Sequence, residues 1–181
     1  MLACKQYANV EIVKFLIEKG ANVNLKNKNG DTPLLLICEN DYINENVLKC
    51  LIEHDADVNA KNKFGDTPLI FVCKQERIDI EIVKLLIEKG ADVNIQNKEG
   101  DIPILLICKN IYENEKILKY MIEHGAIVDT KNKFGDTPLM LACKQYANVE
   151  IVKFLIEKGA NVNLKNNNGD SPLLLICGKT I

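Results

Sequence analysis

Arginine is almost missing from this chain: of its 23 lysines and arginines, only Arg77 is an arginine. The guanidinium fork is the group that grips phosphates and guanine edges in two-pronged fashion, so its scarcity argues against nucleic-acid recognition. Bulk charge agrees, since a formal net charge of −2 at pH 7 favours neither a polyanion nor an anionic membrane surface. No apolar run approaches the roughly 18 residues that span a bilayer, and Met1 leads straight into patterned sequence rather than a secretory leader. A phosphate-binding loop is lacking too. Gly178-Lys179-Thr180 ends like one, but the glycine required five places earlier is Leu173. These gaps predict an intracellular, cytoplasmic chain with neither nucleic acid nor membrane as partner.

What the chain does have is a ruler. Gly-Asp-x-Pro occurs five times, at Gly30, Gly65, Gly100, Gly135 and Gly169, with intervals of 35, 35, 35 and 34 residues. A fixed period in the 20–50 range marks a repeat array in which one supersecondary unit is stacked many times. Such chains have no single central pocket, so a binding surface is expected rather than an active site.

Each unit reads as a turn, two helices and a loop. In the copy from Gly65 to Glu99, Asn62-Lys63-Phe64-Gly65 supplies turn chemistry, glycine being free to take positive φ. Thr67 is placed to cap the next helix, and Pro68 fits its first turn, where a missing N–H costs nothing. The run Leu69 to Cys73 is then a short helix, apolar nearly all round and expected to be buried. Residues 75–80 form the link. Glu81 to Glu88 is amphipathic, with Ile82, Leu85 and Leu86 on one face. Gly90 ends it, and Ala91-Asp92-Val93-Asn94 extends toward the next turn.

The segments Gly65-Asp66-Thr67-Pro68-Leu69, Ile82-Val83-Lys84-Leu85-Leu86 and Gly90-Ala91-Asp92-Val93-Asn94 resemble the ankyrin repeat. The resemblance covers essentially the whole chain and implies an all-α fold. That fold is an ankyrin-repeat solenoid of stacked helix–turn–helix units joined by hairpin-like loops. The array is expected to fill residues 1–181 as one domain: an incomplete repeat at 1–29, full repeats at 30–64, 65–99, 100–134 and 135–168, and a half repeat at 169–181.

Departures from the family pattern carry information. Where the family has histidine after Thr-Pro-Leu, this chain has Leu35, Ile70, Leu105, Met140 and Leu174, so aliphatic packing should replace that residue's hydrogen bonds. The interhelical links are one or two residues longer than usual and hold Tyr7, Tyr42, Tyr112 and Tyr146. In the unit from Gly100, Ile102 replaces the capping threonine and Asp129 the usual asparagine. A longer period overlies the first: residues 1–38 match 140–177 at 36 of 38 positions, and units alternate between two types. The duplicated module is thus a repeat pair of about 70 residues. Two explanations fit: recent duplication, or a periodic partner that meets equivalent patches.

Six of the seven cysteines (Cys4, Cys38, Cys73, Cys108, Cys143 and Cys177) recur at the end of the first helix of each unit. Stacked helices lie about 8–10 Å apart, whereas a disulfide needs Cα atoms within about 7 Å and zinc ligands must converge on one ion. Buried packing residues in a reducing compartment are therefore expected, and Cys50, on a second helix, reads as core. His54 and His124 stand 70 residues apart before helix-ending turns, where a cation meets the negative end of the helix dipole. Asp31, Asp66, Asp101, Asp136 and Asp170 recur on the turns and read as a solvated acidic edge. No catalytic residue, metal site or cofactor is expected, and the chain is not read as an enzyme.

Members of the ankyrin family typically meet protein partners with turn tips and the concave face of the first helices. Carried onto this sequence, those places are Phe64, Asp66, Lys74 and Gln75, and Phe134, Asp136, Lys144 and Gln145. Phe64 and Phe134 stand out, because an aromatic on a turn tip is costly to expose and suits an interface anchor. Each can instead fold back on its own turn. Tyr42 and Tyr112 are weaker candidates on the opposite link. The family also implies asparagine hydroxylation at Asn59 and Asn94, which end Leu-x(5)-Asp-Val-Asn patterns, while Asn24 and Asn163 have Asn in place of the Asp. The chain opens within a first helix at Leu2-Ala3-Cys4 and closes on another at Pro172 to Cys177. Neither end reads as a polar cap, so a longer array or head-to-tail self-association is expected. The leading function is a protein-interaction module; a structural, self-associating scaffold is the alternative.

Overall fold

The structure, a computed structural model, describes residues 9–109, 114–144 and 149–178. Among them lie ten helices and no strand. Each repeat begins at an asparagine whose side chain does the work of a missing strand pair. The Oδ1 of Asn62 accepts the N–H groups of Phe64 (2.9 Å) and Asp66 (3.0 Å), and Asn62 N–H donates to the Asp66 carbonyl (3.1 Å). The same pair of side-chain bonds recurs at Asn27, Asn97, Asn132 and Asn166. Asparagine suits this position because its amide mimics a backbone turn. Gly135 closes one such turn at φ +77, and a Cβ there would lie 2.6 Å from the Oδ1 of Asn167 in the next turn. Only glycine allows both the left-handed backbone and that approach.

Helix starts follow from the residues after the turn. The hydroxyls of Thr32, Thr67, Thr137 and Ser171 each accept the N–H three residues on, all at 3.3 Å. Proline occupies the first helical position behind the cap. The unit that carries Ile102 has no hydroxyl there, and Leu105 N–H donates to the Ile102 carbonyl instead (3.0 Å). The first helices are α2 (Pro33–Cys38), α4 (Pro68–Lys74), α6 (Pro103–Lys109), α8 (Pro138–Lys144) and α10 (Pro172–Cys177). The second helices are α1 (Val10–Glu18), α3 (Glu45–Glu53), α5 (Ile80–Glu88), α7 (Glu115–Glu123) and α9 (Val149–Glu157). The family histidine's place is filled by Leu35, Ile70, Leu105 and Met140, all fully buried.

The chain divides into two compact units, Met1–Asp92 and Val93–Ile181. Within the first, α2 packs on α3 and α4, α4 on α5, and α1 on α3. Within the second, α6 packs on α7 and α8, and α8 on α9 and α10. Like therefore stacks on like, and the core of each unit lies between its first and second helices. Cys38, Cys73, Cys108 and Cys143 are buried there, as is Cys50 on α3. Burial pushes the Cys108 thiol up to about 12, which keeps it protonated and unreactive. Cys177 is exposed; Cys4 lies outside the described residues.

A second asparagine, past each second helix, stitches one repeat to the next. The Nδ2 of Asn59 donates to the Gly90 carbonyl (2.9 Å) and its Oδ1 accepts Asp92 N–H (2.8 Å). Asn24 does the same with Asp55 and Asp57, and Asn94 with Gly125 and Ile127. At the fourth position stands Asp129, which accepts Asn161 N–H (3.0 Å) but has no amide hydrogens to donate. Asp55 is irregular in another way. It takes φ +62 where the equivalent Gly20, Gly90, Gly125 and Gly159 take +88 to +93.

Two substitutions are therefore expected to stabilise the fold. Asp129→Asn restores a donor toward the Gly159 carbonyl and should add about 0.5–1 kcal/mol. Asp55→Gly relieves a left-handed non-glycine residue and removes a carboxylate from the negative end of α3, for about 0.5–1 kcal/mol. Urea unfolding of each variant measures both effects; no gain in either would contradict the corresponding geometry.

Candidate interaction surface

The two aromatic turn tips stand in solvent. Phe64 is 49% exposed and Phe134 60%. Each backbone N–H is fixed by the turn asparagine (Phe64 to Asn62, Phe134 to Asn132), so the ring is presented from a rigid turn. The Nζ of Lys63 lies 4.9 Å from the Phe64 ring centroid, and that of Lys133 lies 5.3 Å from the Phe134 ring. An exposed cation–π contact of this kind contributes about 0.5–1 kcal/mol. It covers one face of each ring and leaves the rest accessible.

The carboxylates beside these rings behave differently from the sequence expectation of a solvated edge. Asp31, Asp66 and Asp136 are buried beneath their turns. Asp66 accepts the Nζ of Lys74 at 3.0 Å, and Asp136 accepts Lys144 at 2.6 Å and the Nδ2 of Asn166 at 2.9 Å. Asp66 and Asp136, expected as partner contacts, are engaged as internal braces that tie the turn to the end of the following helix. Burial drives this, since a carboxylate withdrawn from water needs charged or amide donors around it. The spacing Asp-x(7)-Lys, present at Asp66/Lys74 and Asp136/Lys144, is the signal that identifies the brace. Lys74 and Lys144 keep about a third of their side-chain surface exposed while paired.

Gln75 is likewise committed: its Nε2 donates to the carbonyls of Cys38 (3.2 Å) and Asn40 (2.7 Å) in the preceding repeat. It joins two links of the first unit rather than facing outward as a free amide. Gln145, its counterpart, lies outside the described residues, as do Tyr7, Tyr112 and Tyr146. Tyr42 is exposed and lines an open groove with Asp41, Lys74, Gln75, Glu76 and Arg77. Tyr42, a weaker candidate on the sequence, thus shares this groove with Arg77, the chain's lone arginine.

Asn59 and Asn94 have both ends of their amides engaged by the next repeat. The Nδ1 of His54 lies 2.7 Å from the Cys50 carbonyl, and that of His124 lies 2.8 Å from the Tyr120 carbonyl. A carbonyl only accepts, so Nδ1 carries the proton in both rings. Each histidine thus satisfies one orphan carbonyl at a helix end. Among the described residues no group of three His, Cys, Asp or Glu side chains gathers as a metal would require. No helix among them is long and apolar enough to cross a membrane.

The comparisons with known proteins bear on the repeat itself. No curated protein matches the chain significantly. The family model for ankyrin repeats in three copies matches residues 1–97 and 79–166. That match spans most of the sequence and coincides with the asparagine-centred turns and stacked helix pairs. The chain belongs to the ankyrin-repeat family.

Proposed function

We propose that this chain is a protein-interaction module that meets its partner through the turn tips and the neighbouring ends of the first helices. Ankyrin repeats generally serve protein–protein interaction and are typically non-enzymatic. One observation carries the finer reading: Phe64 and Phe134 expose their rings on turns held rigid by Asn62 and Asn132. A large apolar surface that is already ordered loses little entropy on binding, and aromatics dominate the energetics of interfaces. Lys74 and Lys144 supply charge at the adjoining helix ends while bracing the turns.

Self-association is the second reading, favoured by α10. Leu173, Leu174 and Ile176 are 69%, 55% and 44% exposed, whereas Leu34, Leu35 and Ile37, at the matching places of α2, are buried under α3 and α4. The aliphatic face is the same; only its cover differs. Light scattering over a wide concentration range tests this reading: mass should rise with concentration, and a constant monomer mass would reject it.

For the leading reading, the paired change Phe64→Ala and Phe134→Ala should cost no more than about 1–2 kcal/mol of unfolding stability, the worth of the two exposed cation–π contacts with Lys63 and Lys133. Affinity for a protein co-purified with the unaltered chain should fall by about 2 kcal/mol or more. Binding calorimetry measures the difference. Unchanged affinity would remove the tips from the interface.

A further inference from the structure

We infer that the turn edge of the first unit is a docking surface for an acidic protein segment carrying an apolar residue. The inference rests on the tip-binding reading above and names the chemistry of the partner. Its basis is a separation of charge that net charge conceals. In the two turn segments 25–31 and 60–66, every lysine (Lys26, Lys28, Lys61 and Lys63) is exposed. Both carboxylates of those segments, Asp31 and Asp66, are buried. Asp31 accepts the amide of Asn27 (3.0 Å) and Asp66 accepts Lys74 (3.0 Å). A chain of net charge −2 therefore presents only cations along this edge.

The lysines form one surface because the two turns abut. Lys63 N–H donates to the Asn29 carbonyl at 2.9 Å, its Nζ to the Asn29 Oδ1 at 2.8 Å, and the Lys26 Nζ to the Lys61 carbonyl at 3.0 Å. Two apolar side chains lie in the same segments and stay exposed, Leu25 and Phe64. The corresponding edge of the second unit is less uniform: exposed Glu99 follows Lys98, and Gln96 replaces a lysine. Point-charge ammonium groups around an aromatic suit carboxylates flanking an apolar residue. Lysine meets phosphate as a point charge too. The general role of ankyrin repeats in protein–protein interaction and the apolar Leu25 and Phe64 among the lysines favour an acidic protein segment, with RNA and anionic vesicles as the competing probes.

The test uses the full chain and synthetic probes. These are a fluorescent twelve-residue peptide of glutamates around one central leucine, the same peptide with lysines, the same with serines, a single-stranded RNA of similar charge, and phosphatidylserine vesicles. The acidic peptide should bind with an affinity that falls as salt rises, and its amide NMR shifts should cluster at residues 25–31 and 60–66. The double variant K28E/K61E should weaken it by about tenfold or more, and F64A should weaken it without changing the salt dependence. Equal binding of the serine or lysine peptide, no binding of the acidic peptide, or preference for RNA or vesicles would overturn the inference. If an uncharged peptide binds and F64A abolishes that binding, the tip reading stands and only the acidic specificity fails. If the acidic peptide binds unaffected by both K28E/K61E and F64A, the inference and the tip reading fail together on this edge.

Discussion

One side-chain oxygen governs this architecture: the Oδ1 of the turn asparagine, which accepts two backbone N–H groups in each described repeat. Asn62 holds the N–H of Phe64 and of Asp66 at once, and that double bond sets the path on which everything downstream depends. It bends the chain so that the next residues reach glycine at positive φ and then the capping threonine. It also directs the following aspartate inward, where Asp66 and Asp136 find lysines from the ends of their own first helices. An unsatisfied buried N–H would cost about 1–3 kcal/mol, so losing the oxygen would disturb turn, cap and brace together.

A second constraint works at the opposite end of each repeat. Asn24, Asn59 and Asn94 bond the carbonyl and the N–H of the following repeat with a single amide. Short helices of six to nine residues are too short to be stable alone. They persist because apolar faces stack and because these amides lock the loops in register at the ends of the stack. The comparison of α2 with α10 shows the first of these terms in isolation. The same six residues form both helices, yet the leucines and isoleucine buried in α2 are largely exposed in α10, so burial here is a property of neighbours and not of the segment.

Much of this was legible in the sequence. The 35-residue ruler predicted the repeats, Thr67 and Pro68 marked a helix start, and Gly90 marked a helix end; α4 and α5 begin and finish within a residue or two of the expected bounds. The helix start and end are local, spelled out by residues within four positions of one another. What escaped is written across repeats. Gln75 bonds carbonyls 35 and 37 residues away, and the stitching asparagines reach 31 and 33 residues on. No periodicity within one element reports such contacts. The burial of Asp66 and Asp136 was missed because an aspartate on a turn ordinarily faces water, and its partner lysine lies eight residues along.

The surface chemistry follows from the same turn. Because Asp31, Asp66 and Asp136 are drawn inside, the residues between the turn asparagine and glycine account for much of what those tips show. Lys63-Phe64 presents a cation and a ring, Lys98-Glu99 a balanced pair, and Asn167-Asn168 amides only. Each dipeptide is held on the same backbone by the turn asparagine, as at Asn62 and Asn132, so the tips differ in chemistry and not in path. Near-identical repeats therefore share one framework while their tips differ. What varies from turn to turn is thus confined largely to exposed positions, and what holds the turn, the asparagine, the glycine and the capping residue, stays nearly constant.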